Sequence, residues 1–233
     1  MKILIIDQCS GTKSHPDTHP VVDQDETIRD SRGEILCRLD IDGIQASDLY
    51  DGKQQRRISD AVRILENNGH SVTRYFISAG FGLVKSDELL PPYEATFNAM
   101  SKEEVVQRSE TFKLTERLQG VTNQVCDLIF FALGSDYYDA FELESVLDSI
   151  DSNTGVILFN QEEVEQKYDN VVSVPARTPE GKEFGSTVVG LKGTYLKNFA
   201  TTVGDEEAVL AATAAKYCQT DPHGDQSGID NYV

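Results

Sequence analysis

Residues 74–84 read RYFISAGFGLV, and this stretch decides the fold. Its first half, residues 75–79, is continuously apolar, the mark of a strand covered on both faces. Its second half breaks at Gly80 and Gly82, where a missing Cβ lets the backbone turn sharply and lets another group come close. Four further runs have the same continuous character, at 3–6, 128–133, 155–159 and 171–174. Between the first two strands, Ile58, Ala61, Val62 and Leu65 recur at helical spacing, predicting a helix over 56–69 that stops at Gly69. Between the second and third, Ser101 and Glu104 form a capping box that opens a helix through Val105, Val106, Leu114 and Leu118. The order β-α-β-α-β predicts an α/β fold, a single domain with a mostly parallel central sheet flanked by helices. Tyr195, Leu196 and Phe199, then residues 208–217, read as further helices. The domain is expected to span 1–219, with a polar C-terminal tail at 220–233.

A chain of 233 residues that is 39% hydrophobic has enough apolar material for one sizeable core. Its 39 acidic against 21 basic residues give a net charge of -18, spread along the chain without one block of like charge. That pattern describes a solvated acidic surface like those of proteins from high-salt cytoplasms, or a face that docks a partner. It opposes polymeric phosphate at low salt and leaves room for a local basic patch. Cys9, Cys37, Cys126 and Cys218 are widely separated and no His is spaced for a zinc finger, so neither metal nor cofactor is expected. No apolar run approaches a membrane span. The expectation is a cytoplasmic protein with reduced thiols and no membrane partner.

Three strand ends carry small and polar residues that packing alone explains poorly, and in a parallel sheet such carboxyl ends share one edge. The first runs into Cys9, Ser10, Gly11, Thr12 and Lys13, with hydroxyls and a cation suited to a phosphate; an ordinary turn is the alternative. Cys9 reads either as a nucleophile or as a small packing residue. The second runs from Ser78 through Gly80 and Gly82 to Pro91, Pro92 and Tyr93. The two prolines hold Tyr93 in an extended segment, either to stack on a base or to cap the core. Asp87 and Glu94 are expected to flank that space. The third, Gly134 and Ser135, precedes a helix whose N–H groups favour an anion; there Asp136 is a helix-start charge or a site carboxylate, and Tyr137 and Tyr138 face ligand or core. Residues 10–51 show no long periodic segment and are expected to be a loop bordering the site.

Taken in order, CSGTKSHP, ISAGFGLV with Asp87 and PPYEATF, and FFALGSDYYDAF resemble the pattern of the YaaA-like superfamily over residues 1 to 145. The first motif is also similar to a segment of the glycosylase-like domain of archaeosine synthase. The resemblance implies a nucleic acid, nucleotide or nucleobase as partner. It points to an N-glycosidase-like enzyme of base modification, repair or defence, with a non-catalytic DNA-binding stress-response protein as the alternative. Under the enzyme reading, Cys9, Ser10, Lys13, Ser78, Gly80, Gly82, Tyr93, Thr96, Gly134, Ser135 and Tyr138 contact substrate. The carboxylate that stabilises an oxocarbenium-like sugar or activates water is sought among Asp7, Asp87, Glu94 and Asp136. Under the DNA-binding reading, Arg56, Arg57, Arg63 and Arg74, with Lys192 and Lys197, supply a basic stripe.

Overall fold

The computed structural model describes residues 1–221. Of the tail expected at 220–233, everything from residue 222 on lies outside the described residues. Six strands form one sheet: β1 (Lys2–Gln8), β2 (Ser71–Ser78), β3 (Gly82–Lys85), β4 (Leu128–Ala132), β5 (Gly155–Phe159) and β6 (Val171–Val174). Their order is β3-β2-β1-β4-β5-β6, and every neighbouring pair is parallel except β2 and β3, which form an antiparallel hairpin. The protein is thus an α/β domain with a mostly parallel sheet.

Six helices of eight residues or more are described: α1 (Arg32–Leu39), α2 (Lys53–Asn67), α3 (Lys102–Phe112), α4 (Leu114–Thr122), α5 (Val188–Val203) and α6 (Ala211–Cys218). The continuous apolar strands divide their side chains between two cores. Ile3 and Ile5 of β1, with Leu128 and Phe130 of β4, pack among α2, α5 and α6; Leu4, Ile6, Ile129 and Phe131 pack on the opposite face with α3 and α4. Each such side chain, once fully buried, contributes about 1.5–3 kcal/mol. Because both faces are covered, apolar residues fill most positions on both, and the period-2 signal disappears from the sequence.

Helix α2 starts a little earlier than its periodicity suggests and buries Ile58, Ala61 and Leu65 as expected. The capping box of Ser101 and Glu104 is formed at α3. Helix α5 begins at Val188, before Gly193, where the Thr187 side chain accepts from the Gly190 N–H. Gly193 lies where α5 touches α2, and a Cβ there would stand 2.7 Å from the carbonyl oxygen of Gln54.

Residues 10–51 are more ordered than a plain loop. They contain α1, opened by a capping box of Ser31 and Glu34, two single-turn helices, and Ile44–Gln45, which pairs with Leu89–Leu90 as a small antiparallel ribbon. The Val22 N–H donates to the Pro92 carbonyl and the Glu94 N–H to the Val22 carbonyl, tying this segment across the end of the second strand. Among the described residues no helix is long and apolar enough to cross a membrane.

Candidate functional site

The strand order reverses at β1. The chain goes from β1 to β2 and β3 on one side, then passes to β4, β5 and β6 on the other. A reversal of this kind leaves a crevice outside the carboxyl ends of the two strands that flank it, here β1 and β4. A cavity of about 270 Å³ lies there, lined among others by Gln8, Asn98, Gly134, Ser135, Asp136 and Lys192. Tyr137, Phe159, Val188 and Val189 add apolar surface.

Each strand end contributes for a local reason. Gln8 is the last residue of β1, and its Oε1 accepts the Gly134 N–H at 2.6 Å, joining the ends of β1 and β4. Gly134 and Ser135 turn the chain into the single-turn helix Ser135–Tyr138, which leaves Asp136 exposed at the rim. The Ser135 hydroxyl donates to Asp136 Oδ1 at 3.2 Å. Asn160, in the left-handed region at φ 56°, bridges to the end of β6, accepting from the Ala176 N–H at 2.7 Å and donating to its carbonyl at 3.2 Å. Lys192 comes from α5 and is 6% exposed. Burial pushes its ammonium below the ordinary lysine value, against the opposing attraction of Asp7.

The other side of β1 is closed. Ser78 Oγ lies 2.8 Å from Tyr93 Oη, and Tyr93 Oη lies 2.7 Å from Tyr50 Oη. The Ser78 hydroxyl also accepts the N–H groups of Gly80 and Phe81, at 3.2 and 3.0 Å. Cys9 Sγ is 3.1 Å from Tyr137 Oη, and Thr96 also hydrogen-bonds that phenol. Lys13 Nζ sits 4.4 Å from the centre of the Tyr93 ring and donates to the Ala95 carbonyl at 3.4 Å. Burial holds Lys13 below the usual lysine value and lifts Tyr50, Tyr93 and Tyr137 above the usual phenol value. Ser10 is buried beside Gly52 and accepts the Thr12 N–H at 3.1 Å.

Several expected site residues therefore have a different place. Tyr93, 1% exposed, is a core side chain and offers no open face for a base to stack on. Gly80 is small to admit that ring: a Cβ there would stand 2.5 Å from it. Gly82 has φ +69° and a Cβ there would come 2.7 Å from Phe112, so it serves the hairpin and helix packing. Asp7 is wholly buried, its Oδ2 held by Arg74 at 2.6 Å and its Oδ1 by Gln54 Nε2 at 2.7 Å and the Gln8 N–H at 2.8 Å. With both oxygens engaged it anchors β1 to β2 and α2. Asp87 is exposed, paired with Lys85 at 3.0 Å, and follows a strand that runs away from the carboxyl edge. Glu94 is exposed beside the closed cluster, and Tyr138 points its hydroxyl at the Phe131 carbonyl, 3.3 Å away. Of the four candidate carboxylates, Asp136 alone lines the cavity.

The basic stripe is not present as a free surface. Arg56 pairs with Asp51 at 3.4 Å, Arg63 with Asp60, and Lys197 with Asp60 at 3.4 Å. Arg57 donates to Ser186, Gly190 and Thr194 across the α2–α5 contact, while Arg74 and Lys192 are buried. Gln8, Asn98 and Lys192 are cavity residues that the strand-end motifs did not include as ligand contacts. The reversal of strand order, once the order is known, points to Gln8. Among the described residues no group of three or more His, Cys, Asp or Glu stands ready to hold a metal.

Together the fold and the cavity define an α/β protein whose candidate site lies at the topological switch point of its sheet. Searches against models of protein families and against curated proteins give no match for this chain.

Proposed function

We propose that the protein is a cytoplasmic nucleobase-directed enzyme of N-glycosidic chemistry, working in the crevice between β1 and β4. The observation that carries this reading is the lining of the cavity: the amide side chains of Gln8, Asn98 and Gln161, the apolar surface of Phe159 and Val188, and one carboxylate, Asp136. Amides pair with the donor and acceptor edge of a base, apolar surface covers its faces, and a carboxylate stabilises positive charge on the sugar. The resemblance of the strand-end motifs to YaaA-like proteins and to the glycosylase-like domain of archaeosine synthase supports the same ligand class. At about 270 Å³ the cavity is sized for one small ligand, just below the usual range for such sites.

In the proposed reaction a water attacks C1′ of the sugar and the bond from C1′ to the base nitrogen breaks. The bonding electron pair leaves with the base, which takes up a proton, and the sugar keeps the hydroxyl. Asp136 receives the proton of the attacking water and balances the oxocarbenium-like charge. The test is incubation with nucleosides, nucleotides and DNA in high and low salt, followed by mass spectrometry for free base. Release that falls at least about 100-fold in Asp136→Asn supports the reading, in line with the usual contribution of a general base. No release from any of these substrates overturns it.

A further inference from the structure

Lys192 is a buried amine with an open side. It is 6% exposed and lines the cavity, and no hydrogen bond or ion pair joins its ammonium to another described residue. Among the described residues, the buried arginines are by contrast held by hydrogen bonds from their terminal nitrogens. Arg74 has Asp7, Ser59 and the Gln55 carbonyl. Arg108 has the carbonyls of Ala79 and Gln24. The acid nearest in influence to Lys192 is Asp7, whose oxygens already take Arg74, Gln54 and the Gln8 N–H. The cavity's own carboxylate, Asp136, is exposed at the rim. A buried ammonium without a counter-charge is costly, and the free volume of the site lies beside it.

From this geometry we infer that Lys192 is the anion-binding residue of the crevice, and that the ligand is a mononucleotide whose phosphate group meets its ammonium. The inference deepens the nucleobase reading and rests on it for the identity of the rest of the ligand. A phosphate brought to Lys192 supplies the missing counter-charge in a site sheltered from water, where a charge-assisted hydrogen bond is strong. The surroundings select against a polymer. The chain carries a net charge of -18, and the three arginines of α2 are tied to Asp51, Asp60 and the α5 backbone, so flanking phosphates of a strand meet no free arginine stripe.

The test is calorimetric binding of the four ribonucleoside 5′-monophosphates, the matching nucleosides, inorganic phosphate and a single-stranded oligonucleotide to the full chain and to Lys192→Met. Lys192→Gln serves as a second variant, and folding is checked by circular dichroism. The expected result is that at least one monophosphate binds about 10- to 100-fold more tightly than its nucleoside, and that both variants erase this difference while leaving nucleoside affinity unchanged. Equal binding of nucleoside and monophosphate by the wild type overturns the inference, as does a phosphate preference that survives in both variants. Tighter binding of the oligonucleotide than of any monophosphate overturns the mononucleotide assignment. Binding of inorganic phosphate that Lys192→Met abolishes, with no binding of any nucleoside or monophosphate, keeps Lys192 as an anion site and overturns the nucleobase reading. No binding of any probe overturns both.

Discussion

On one side of β1 the carboxyl edge of the sheet is sealed by aromatic side chains, and on the other it is open. The sealed side lies at the end of β2, where residues 10–51 fold back over the strand and Tyr50, Tyr93 and Ser78 satisfy one another's hydroxyls. The open side lies between β1 and β4, where β4 is followed by a short turn and the lining amides and Lys192 border a cavity. The two buried cations of the region show the same contrast. Both terminal nitrogens of Arg74 are hydrogen-bonded on the closed side of the core, and the Lys192 ammonium has no hydrogen bond among the described residues at the crevice. The difference teaches that small and polar residues at a strand end do two separate jobs: some complete a buried network, and others are left for a ligand.

The largest effect is expected where a satisfied network is broken. Arg74→Met leaves Asp7 wholly buried without its cation, and urea unfolding should show a loss of about 3–5 kcal/mol. Replacing Asp7 by Asn in the same variant should restore part of it, because the uncompensated charge is then gone. If Arg74→Met is neutral, Asp7 is not the anchor described here.

A smaller loss is expected at the seal. Gly80→Ala places a Cβ where the Tyr93 ring already lies, with a cost of about 1–3 kcal/mol in thermal or chemical unfolding. The same substitution in a Tyr93→Leu background should cost less, since the obstructing ring is absent. An undiminished cost there would show that the backbone at Gly80, and not the ring, sets the requirement.

The smallest effect, opposite in direction, concerns Lys192. Burial lowers its proton affinity in the folded protein below that in the unfolded chain. Between those two values the unfolded state binds more protons, so this residue's contribution to stability rises as pH rises toward the ordinary lysine value and is lowest below both. Lys13 contributes in the same direction, and the buried phenols and thiols oppose it at higher pH, so the wild-type curve alone mixes several sources. The difference curve between wild type and Lys192→Met isolates the lysine. It should show the variant gaining most on the acidic side of the window, with the gain shrinking as pH rises. A flat difference would mean that the amine is as well solvated folded as unfolded.

Much of the fold was legible because double burial leaves a plain trace: the five predicted apolar runs all became strands of one sheet. The strand Gly82–Lys85 escaped because it is only four residues long and opens on a glycine that reads equally well as part of a ligand turn. Helix α1 escaped although Ser31 and Glu34 carry a capping signal, because among its apolar residues Ile35 alone is buried and no stripe emerges. The site was legible at Gly134, Ser135 and Asp136, where a strand end leads directly into the cavity. Tyr93 was ambiguous because two prolines fix its backbone and say nothing of which way the ring points. Lys192 read as one of several surface cations, since its burial is created by packing of α5 over β1 and α2, distant segments that no local pattern reports.

The central claim is that ligand enters the open crevice and not the sealed cluster. Amide chemical-shift mapping of the 15N-labelled protein with the ribonucleoside 5′-monophosphates tests it most directly. The account predicts shifts concentrated at Gln8, Gly134, Ser135, Gln161 and Lys192, with Ser78, Gly80 and Tyr93 unmoved. Shifts centred on Lys13, Gly80, Tyr93 and Glu94, with the crevice unmoved, would contradict it.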